Sequence, residues 1–142
     1  MKYLITIMFL SQLSSQDIGQ KMIENGDYDS AIKYYQFLLN DENLSKDDIL
    51  YNLASIYSSI DSLKQAEEYF NLAIQDSLNP SSDLSYNRGN MFFRSQNLQE
   101  SLKSFREALL KNPEDSEASK NYEFVKNQIE KYQKTQQDSQ QK

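Results

Sequence analysis

The chain contains one pattern of residues three times. The clearest copy covers residues 86–113, where two amphipathic runs lie on either side of a polar break at Gln96 and Asn97. Related copies cover residues 51–74 and 19–39, and aligning the three copies gives a step of 35 residues each time. A fixed period of this size indicates units that stack in a row, because one unit cannot bury its apolar face alone. We therefore expect a repeat array in which each unit packs on its neighbour.

Each copy is predicted to form two helices joined by a short turn. In the first copy, apolar residues at helical spacing predict helices over residues 17–24 and 28–40. Gly26 lies between them and suits a left-handed helix end, and Asp27 can cap the second helix. In the other copies, Ser62 with Gln65 and Asn97 with Glu100 have the spacing of a capping box. The sequence thus predicts six short helices in three antiparallel pairs.

Small residues recur at the positions where paired helices have to cross closely. They are Gly19, Ala54 and Gly89 in the first helix of each pair, and Ala31, Ala66 and Ser101 in the second. Large residues recur at Met22, Tyr57 and Phe92, and at Tyr35, Phe70 and Phe105. A large side chain at a small position would overpack the crossing, at a cost of about 1–3 kcal/mol. The alternation therefore predicts which residues form the core.

This arrangement of small and large residues resembles the tetratricopeptide repeat. The family's small and large positions and its terminal proline match Gly89, Phe92, Phe105, Ala108 and Pro113 in the third copy. The chain departs from the family in lacking tryptophan, and its period is 35 residues where the family has about 34. The resemblance covers residues 16–115 and implies an all-α fold. The expected architecture is a right-handed α-solenoid of three tetratricopeptide-like helix pairs plus a C-terminal capping helix.

The region after the third copy is predicted to be one further amphipathic helix. Its apolar residues lie at helical spacing within residues 116–132, at Ala118, Tyr122, Val125 and Ile129. Asn121 follows Asn87 by 34 residues, so this helix takes the position of a fourth first helix. A polar outer face would let it cap the array. Residues 133–142 contain five glutamines and no apolar residue, which predicts a disordered tail.

The first fifteen residues allow two interpretations. Lys2 precedes an apolar run from Tyr3 to Leu10, and small polar residues follow it, which is the layout of a short secretory signal peptide. On this interpretation the mature protein is periplasmic or secreted. The other interpretation is that residues 1–15 extend the first helix and pack as core, in which case we expect a cytoplasmic protein. The run is too short to span a bilayer, which takes about 20 apolar residues.

The composition excludes several classes of function. The formal net charge is −6 over 142 residues, which disfavours nucleic acid as a partner because binding it depends on neutralising phosphates. The chain has no cysteine and no histidine, so the usual catalytic bases, nucleophiles and zinc ligands are missing. An alternation of Asp41, Asn43, Ser45 and Asp47 lacks the glycine and glutamate of a calcium loop. We expect no enzyme activity, no metal, no cofactor and no small-molecule substrate.

The predicted binding residues lie on the first helices, which line the concave groove of such an array. Asn52, Asn87 and Asn121 recur at matching positions. Beside them we place Tyr51, Ser55, Tyr86, Asn90, Arg94 and Lys120, together with the aromatic residues Phe93 and Phe124. The family resemblance implies that these asparagines bind the backbone of a partner peptide, since an amide both donates and accepts. A second interpretation is that they satisfy local polar groups.

These features predict a non-catalytic scaffold that binds a peptide or helix of a partner protein in the groove. The family's lysine clamp for acidic C-termini is not expected, because Gln16, Tyr51 and Tyr86 occupy its places. The layout is also similar to the periplasmic tetratricopeptide proteins of bacterial aerotolerance (Bat) operons, which implies membrane-bound partners with von Willebrand factor A-type domains. The alternative is a structural protein that self-associates through its exposed repeat faces.

Overall fold

The structure is a computed structural model that describes residues 18–140, and all of its regular structure is helical. The predicted signal segment, residues 1–15, lies outside the described residues. The first helix, α1, covers residues 18–24 of the described chain. The others are α2 (Tyr28–Leu38), α3 (Lys46–Ser59), α4 (Leu63–Asp76), α5 (Ser82–Arg94), α6 (Leu98–Lys111) and α7 (Ser116–Gln140). No helix in this part of the chain is long and apolar enough to cross a membrane.

The helices stack in chain order. From α2 onwards each helix packs against the next, and α3 also contacts α5. One buried cluster joins the first and second units and includes Ala31, Tyr35 and Leu53. A second cluster joins the second and third units through Phe70 and Phe92. The two clusters share partly buried residues such as Tyr57 and Tyr69, and this stacking of helix pairs confirms the predicted all-α solenoid.

The close crossings within the pairs occur at the predicted small residues. A Cβ atom added at Gly89 would lie 2.7 Å from Cε1 of Phe105, and one added at Gly19 would lie 2.5 Å from Cζ of Tyr35. Both distances are shorter than a van der Waals contact, so these rings pack directly on the backbone of the facing helix. Ser101, which replaces the expected alanine, is fully buried, and its hydroxyl donates to the Gly89 carbonyl at 2.9 Å. Glycine at 89 thus admits both the ring and the hydroxyl.

The turn inside each pair has the same geometry in all three units. Gly26, Asp61 and Gln96 lie 35 residues apart and have φ values of +74°, +63° and +61°. In each turn the following residue donates its N–H to a carbonyl five residues back, at 2.9 Å. This is the Schellman helix end, in which glycine is the residue with least strain. Only the first unit has glycine there, so Asp61 and Gln96 are held in the left-handed region by the fold.

The structure corrects one predicted helix end and one predicted cap. Helix α2 ends at Leu38, two residues before the predicted end at Asn40, since its last carbonyls are used by the amides of the following turn. Asp27 and Asn97 cap their helices through side-chain oxygens, but Ser62 makes no side-chain cap bond. The capping box predicted from Ser62 and Gln65 is therefore absent.

The last helix is longer than predicted. Helix α7 continues to Gln140, so residues 133–140 are helical and the disordered tail predicted from residue 133 is wrong for them. This stretch has no glycine or proline, and glutamine and lysine are good helix formers. The hydroxyls of Thr135 and Ser139 also donate to carbonyls one turn back, at 3.0 and 2.8 Å. Helix formation here needs little packing.

The crossing at Gly89 leads to a first prediction. Gly89→Ala should destabilise the protein by about 1–3 kcal/mol, because the new methyl group overlaps the Phe105 ring. Helix propensity alone would favour alanine by about 1 kcal/mol. Urea denaturation of both proteins measures the difference. Phe105→Leu in the Gly89→Ala background should recover part of the loss, and a Gly89→Ala variant as stable as the parent would contradict the crossing geometry.

The left-handed turns lead to a second prediction. Gln96→Gly should stabilise the protein by about 1 kcal/mol, because glycine removes the cost of positive φ at this position. Gln99→Gly is the matched control, since the same change inside α6 should destabilise by about 0.5–1 kcal/mol. Thermal and urea unfolding of the two variants would show opposite shifts. Equal destabilisation by both would mean that Gln96 is not strained.

Candidate functional site

The first helices of successive units are connected by a row of hydrogen bonds. Nδ2 of Asn87 on α5 donates to the hydroxyl of Tyr51 on α3 at 2.6 Å. Nδ2 of Asn121 on α7 donates to the hydroxyl of Tyr86 at 3.3 Å and to Oδ1 of Asn90 at 3.2 Å. The predicted groove residues therefore meet across the boundaries between units. These side chains are half-buried, so they support the stacking and also form a surface.

The same row leaves polar groups for a ligand. Among the described residues, Oδ1 of Asn87 accepts no hydrogen bond and the Tyr51 hydroxyl donates none, although it accepts one from Asn87. The side chain of Asn52 makes no hydrogen bond to another described residue. The hydroxyl oxygen of Ser55 is buried and has no partner within residues 18–140. A carbonyl acceptor and a hydroxyl donor thus lie side by side between α3 and α5, where they can pair with a peptide backbone.

The two predicted basic residues of the groove have different surroundings. Nη2 of Arg94 pairs with Oδ1 of Asp61 at 2.7 Å, and Nη1 donates to the carbonyl of Ser58 at 2.5 Å. Arg94 therefore links α5 to the turn between α3 and α4. Lys120 is exposed on α7 at the position matching Tyr86. Of the two, only Lys120 has a charge that is not already paired within the described residues.

An aromatic concavity of about 160 Å³ lies between α5 and α7. Its lining consists of Asn90, Phe93, Phe105, Asn121, Phe124 and Val125. The rings of Phe93 and Phe124 meet edge to face, with centroids 5.7 Å apart. Phe93 is 38% exposed and Phe124 is 51% exposed, so neither is closed into the core. The predicted groove is therefore apolar at this end.

A larger cleft of about 720 Å³ follows, where α7 passes the turn between α5 and α6. It is lined by Phe93, Gln96, Asn97, Leu98, Gln99, Ile129, Tyr132 and Gln133. We call this concavity the terminal cleft. Sequence reasoning assigned Ile129 to the packed face of the helix and missed the cleft. The sequence feature that indicates the cleft is the pair Ile129 and Tyr132. These residues continue the apolar face of α7 past the end of the neighbouring helices.

The opposite end of the groove is acidic. A concavity of about 260 Å³ is lined by Asp47, Asp48, Tyr51, Ser77, Asn79, Ser81, Asp83 and Leu84. The pKa of Asp47 lies below its ordinary value, mainly because its carboxylate accepts a hydrogen bond from the Ser45 hydroxyl. Glu117 of α7 lies at the same end and accepts from the Tyr86 hydroxyl at 3.4 Å. These carboxylates do not cluster as a metal site within residues 18–140.

Arg88 is an unpredicted charged residue at the contact between α5 and α6. Its side chain is 11% exposed, and its guanidinium nitrogens lie 3.9 Å from carboxylate oxygens of Glu100 and Glu107. Nη1 donates to the Ser104 hydroxyl at 3.2 Å, and the guanidinium carbon lies 4.8 Å from the centre of the Phe92 ring. Because its contacts are with α6 and its own helix, Arg88 stabilises the pair and takes no part in the groove.

Comparisons with known proteins agree with this architecture. Two models of the tetratricopeptide repeat match the chain, one over residues 47–75 and one over residues 82–115. No curated protein sequence matches it. The first tetratricopeptide domain of human RPAP3 superposes with a TM-score of 0.76 at 24% identity, covering 86% of this chain and 94% of that one.

Two further solved structures are similar. The first tetratricopeptide domain of Spaghetti (RPAP3), bound to the HSP90 peptide SRMEEVD, has a TM-score of 0.75 at 25% identity and covers 82% of this chain and 91% of that one. MamA has a TM-score of 0.72 at 22% identity, with 82% of this chain and 67% of that one covered. Repeat matches, helix order and superposition agree, and the chain is a tetratricopeptide repeat protein.

Proposed function

We propose that the protein is a non-catalytic scaffold that binds a peptide or helix of a partner protein along the groove formed by α3, α5 and α7. The observation that carries the proposal is the pair formed by Tyr51 and Asn87 at 2.6 Å. This bond fixes both side chains and leaves a donor and an acceptor for a ligand. The peptide complex of the similar RPAP3 domain supports the same class of partner.

The geometry of the row suits backbone recognition. Groups held in place by an existing hydrogen bond lose little conformational freedom when a ligand binds. The ligand can therefore use most of its interaction energy for affinity. Asn121 is held in the same way by Tyr86 and Asn90, so the groove repeats one recognition element at successive units. Repetition of this kind suits an extended segment that crosses several units.

The charges of the groove favour a partner that is not acidic. Asp48 and Asp83 lie beside Tyr51 at one end of the groove, and Glu117 lies beside Tyr86. Tyr51 and Tyr86 occupy two of the places where the acidic-peptide clamp of the family needs lysines, and Lys120 is the only lysine at a matching place among the described first helices. Carboxylates of a ligand would meet like charges here, which costs several kcal/mol in a protein interface. The partner segment is therefore neutral or basic near these residues.

The compartment is a separate part of the proposal. We propose that residues 1–15 are a cleaved signal peptide and that the protein works in the periplasm or outside the cell, with a membrane-bound partner of the von Willebrand factor A type. The support is the residue pattern of the N-terminus and the layout shared with the Bat-operon proteins. N-terminal sequencing of the protein purified from its own cells tests this. A mature chain that begins at Met1 would contradict it.

Substitutions in the row test the groove. A random twelve-residue peptide display library, selected on the full chain, supplies defined ligands. Asn87→Ala should weaken selected peptides by about tenfold, because a hydrogen bond to the ligand and the anchoring of Tyr51 are both lost. Gln65→Ala, an exposed change on α4, is the matched control. Fluorescence anisotropy measures each affinity, and equal binding by both variants would contradict the groove proposal.

An acidic peptide provides the reverse test. The peptide SRMEEVD, bound by the similar RPAP3 domain, should show no binding to this chain by calorimetry at about 1 mM, where an affinity of about −4 kcal/mol would be detected. The reason is the absence of lysine at residues 51 and 86 together with the nearby carboxylates. The RPAP3 domain itself is the positive control. Micromolar binding of SRMEEVD by this chain would contradict the charge assignment.

A further inference from the structure

We propose that the terminal cleft is the anchor pocket of the groove and takes one bulky, uncharged apolar side chain of the partner segment. The inference rests on the proposed function, because the anchor residue belongs to the same segment that binds the Tyr51 and Asn87 pair. It adds the chemistry of the partner, which the groove residues alone do not define. Leucine, methionine and the aromatic residues are the side chains that fit this description.

Two junctions of the array can be compared at this place in the fold. At the central junction, between the second and third units, Arg94 bonds to the Ser58 carbonyl and to Asp61 and so lies against the turn. At the terminal junction, between the third unit and α7, the matching turn residues are Phe93 and Gln96, each 35 residues later. The same place in the fold thus holds a charged, hydrogen-bonded contact at one junction and an uncharged cleft at the next.

The residue that the next first helix places at the turn also differs between the two junctions. The spacing of the asparagines places Gln128 of α7 where α5 has Arg94. Gln128 makes no hydrogen bond to the turn between α5 and α6 within the described residues. Helix α5 ends at Arg94, whereas α7 continues to Gln140. The continuation places Ile129 and Tyr132 opposite Leu98 and provides the second wall of the cleft.

The lining indicates what the cleft can hold. Its side chains are aromatic, aliphatic or amide, and no charged residue is among them. A charged ligand group would lose its hydration there without a counter-charge, which is costly. Its volume of about 720 Å³ leaves room for one bulky side chain. Gln96, Asn97 and Gln99 can meanwhile pair with polar backbone groups next to the anchor.

The cleft is continuous with the groove. Phe93 lines both the terminal cleft and the smaller concavity that contains Asn90 and Asn121. A segment bound along the hydrogen-bonded row therefore reaches the cleft without leaving the surface. Tyr132 is 67% exposed, so a side chain can enter without displacing core residues. Aromatic anchors in such pockets commonly provide most of the binding energy of an interface.

The outer face of α7 makes a second copy of the chain a poorer occupant. This face is polar and includes Glu123 and Lys126, which pair at 3.8 Å. The stretch of α7 beyond the cleft, residues 134–139, is exposed and has no apolar side chain. On the C-terminal side of the cleft, a second copy would therefore meet only polar side chains, so the apolar surface available there is limited to the cleft and the concavity at Phe93 and Phe124. A partner segment that fills the cleft with one side chain needs no larger apolar surface.

A double-mutant cycle tests the inference with peptides selected on the full chain from a random twelve-residue display library. Tyr132→Ser removes one wall of the cleft, and Lys131→Ser is the control that changes the neighbouring exposed residue. We expect the selected peptides to share one bulky apolar position. Alanine at that position and Tyr132→Ser should each weaken binding about tenfold, and the two together should weaken it no more than either alone. Lys131→Ser should have no effect.

The outcomes separate this inference from the proposed function. Peptides that depend on Asn87 but bind Tyr132→Ser as tightly as the parent would overturn the anchor pocket and leave the groove intact. Peptides that depend on neither residue would overturn both. Light scattering supplies the remaining test: a dimer that Tyr132→Ser converts to a monomer would show that a second copy covers the cleft, and would overturn the assignment to a partner segment.

Discussion

The contact on which the structure depends is the packing of an aromatic ring on the backbone of the facing helix. Phe105 occupies the space that a side chain at Gly89 would need, and Tyr35 does the same at Gly19. The small residue sets the distance between the ring and the backbone of the facing helix. The two helices of a pair therefore have little freedom in their separation and crossing angle. The next unit packs on the surface that the pair presents, through buried residues such as Phe70 and Phe92. These crossings determine the geometry of the groove.

The hydrogen-bonded row is a consequence of that register. Asn87 reaches Tyr51, and Asn121 reaches Tyr86, only because successive first helices lie side by side at a constant offset. Each bond joins two units, so the side chains that form the surface also hold the array together. Stability and recognition are therefore coupled at these positions. A substitution in the row affects both, and for this reason binding has to be compared with unfolding in the same variants.

The repeated part of the fold was predictable from the sequence. Its periodicity, helix-end signals and small residues all indicate the same helix pairs and the same crossing positions. The places where prediction failed depend on contacts that periodicity does not encode. Ser62 has capping-box spacing but makes no cap bond, and residues 133–140 form helix without apolar residues. Sequence periodicity also does not predict that Arg94, a predicted groove residue, pairs with Asp61 of the preceding unit. Contacts between residues of different units can be identified only from the three-dimensional arrangement of those units.

The terminal cleft follows from the way α7 packs on the third unit. At the central junction Arg94 of the next first helix bonds to Asp61 in the turn of the second unit. Among the described residues α7 has no paired second helix, and only its inner face follows the repeat pattern, with Val125 buried. Its outer positions are polar, and its length is not limited by a paired helix. The chain can therefore extend this helix past the last turn and line the added face with Ile129 and Tyr132. Thus the element that caps a repeat array can also form a binding pocket, without changing the contacts that hold the repeats together.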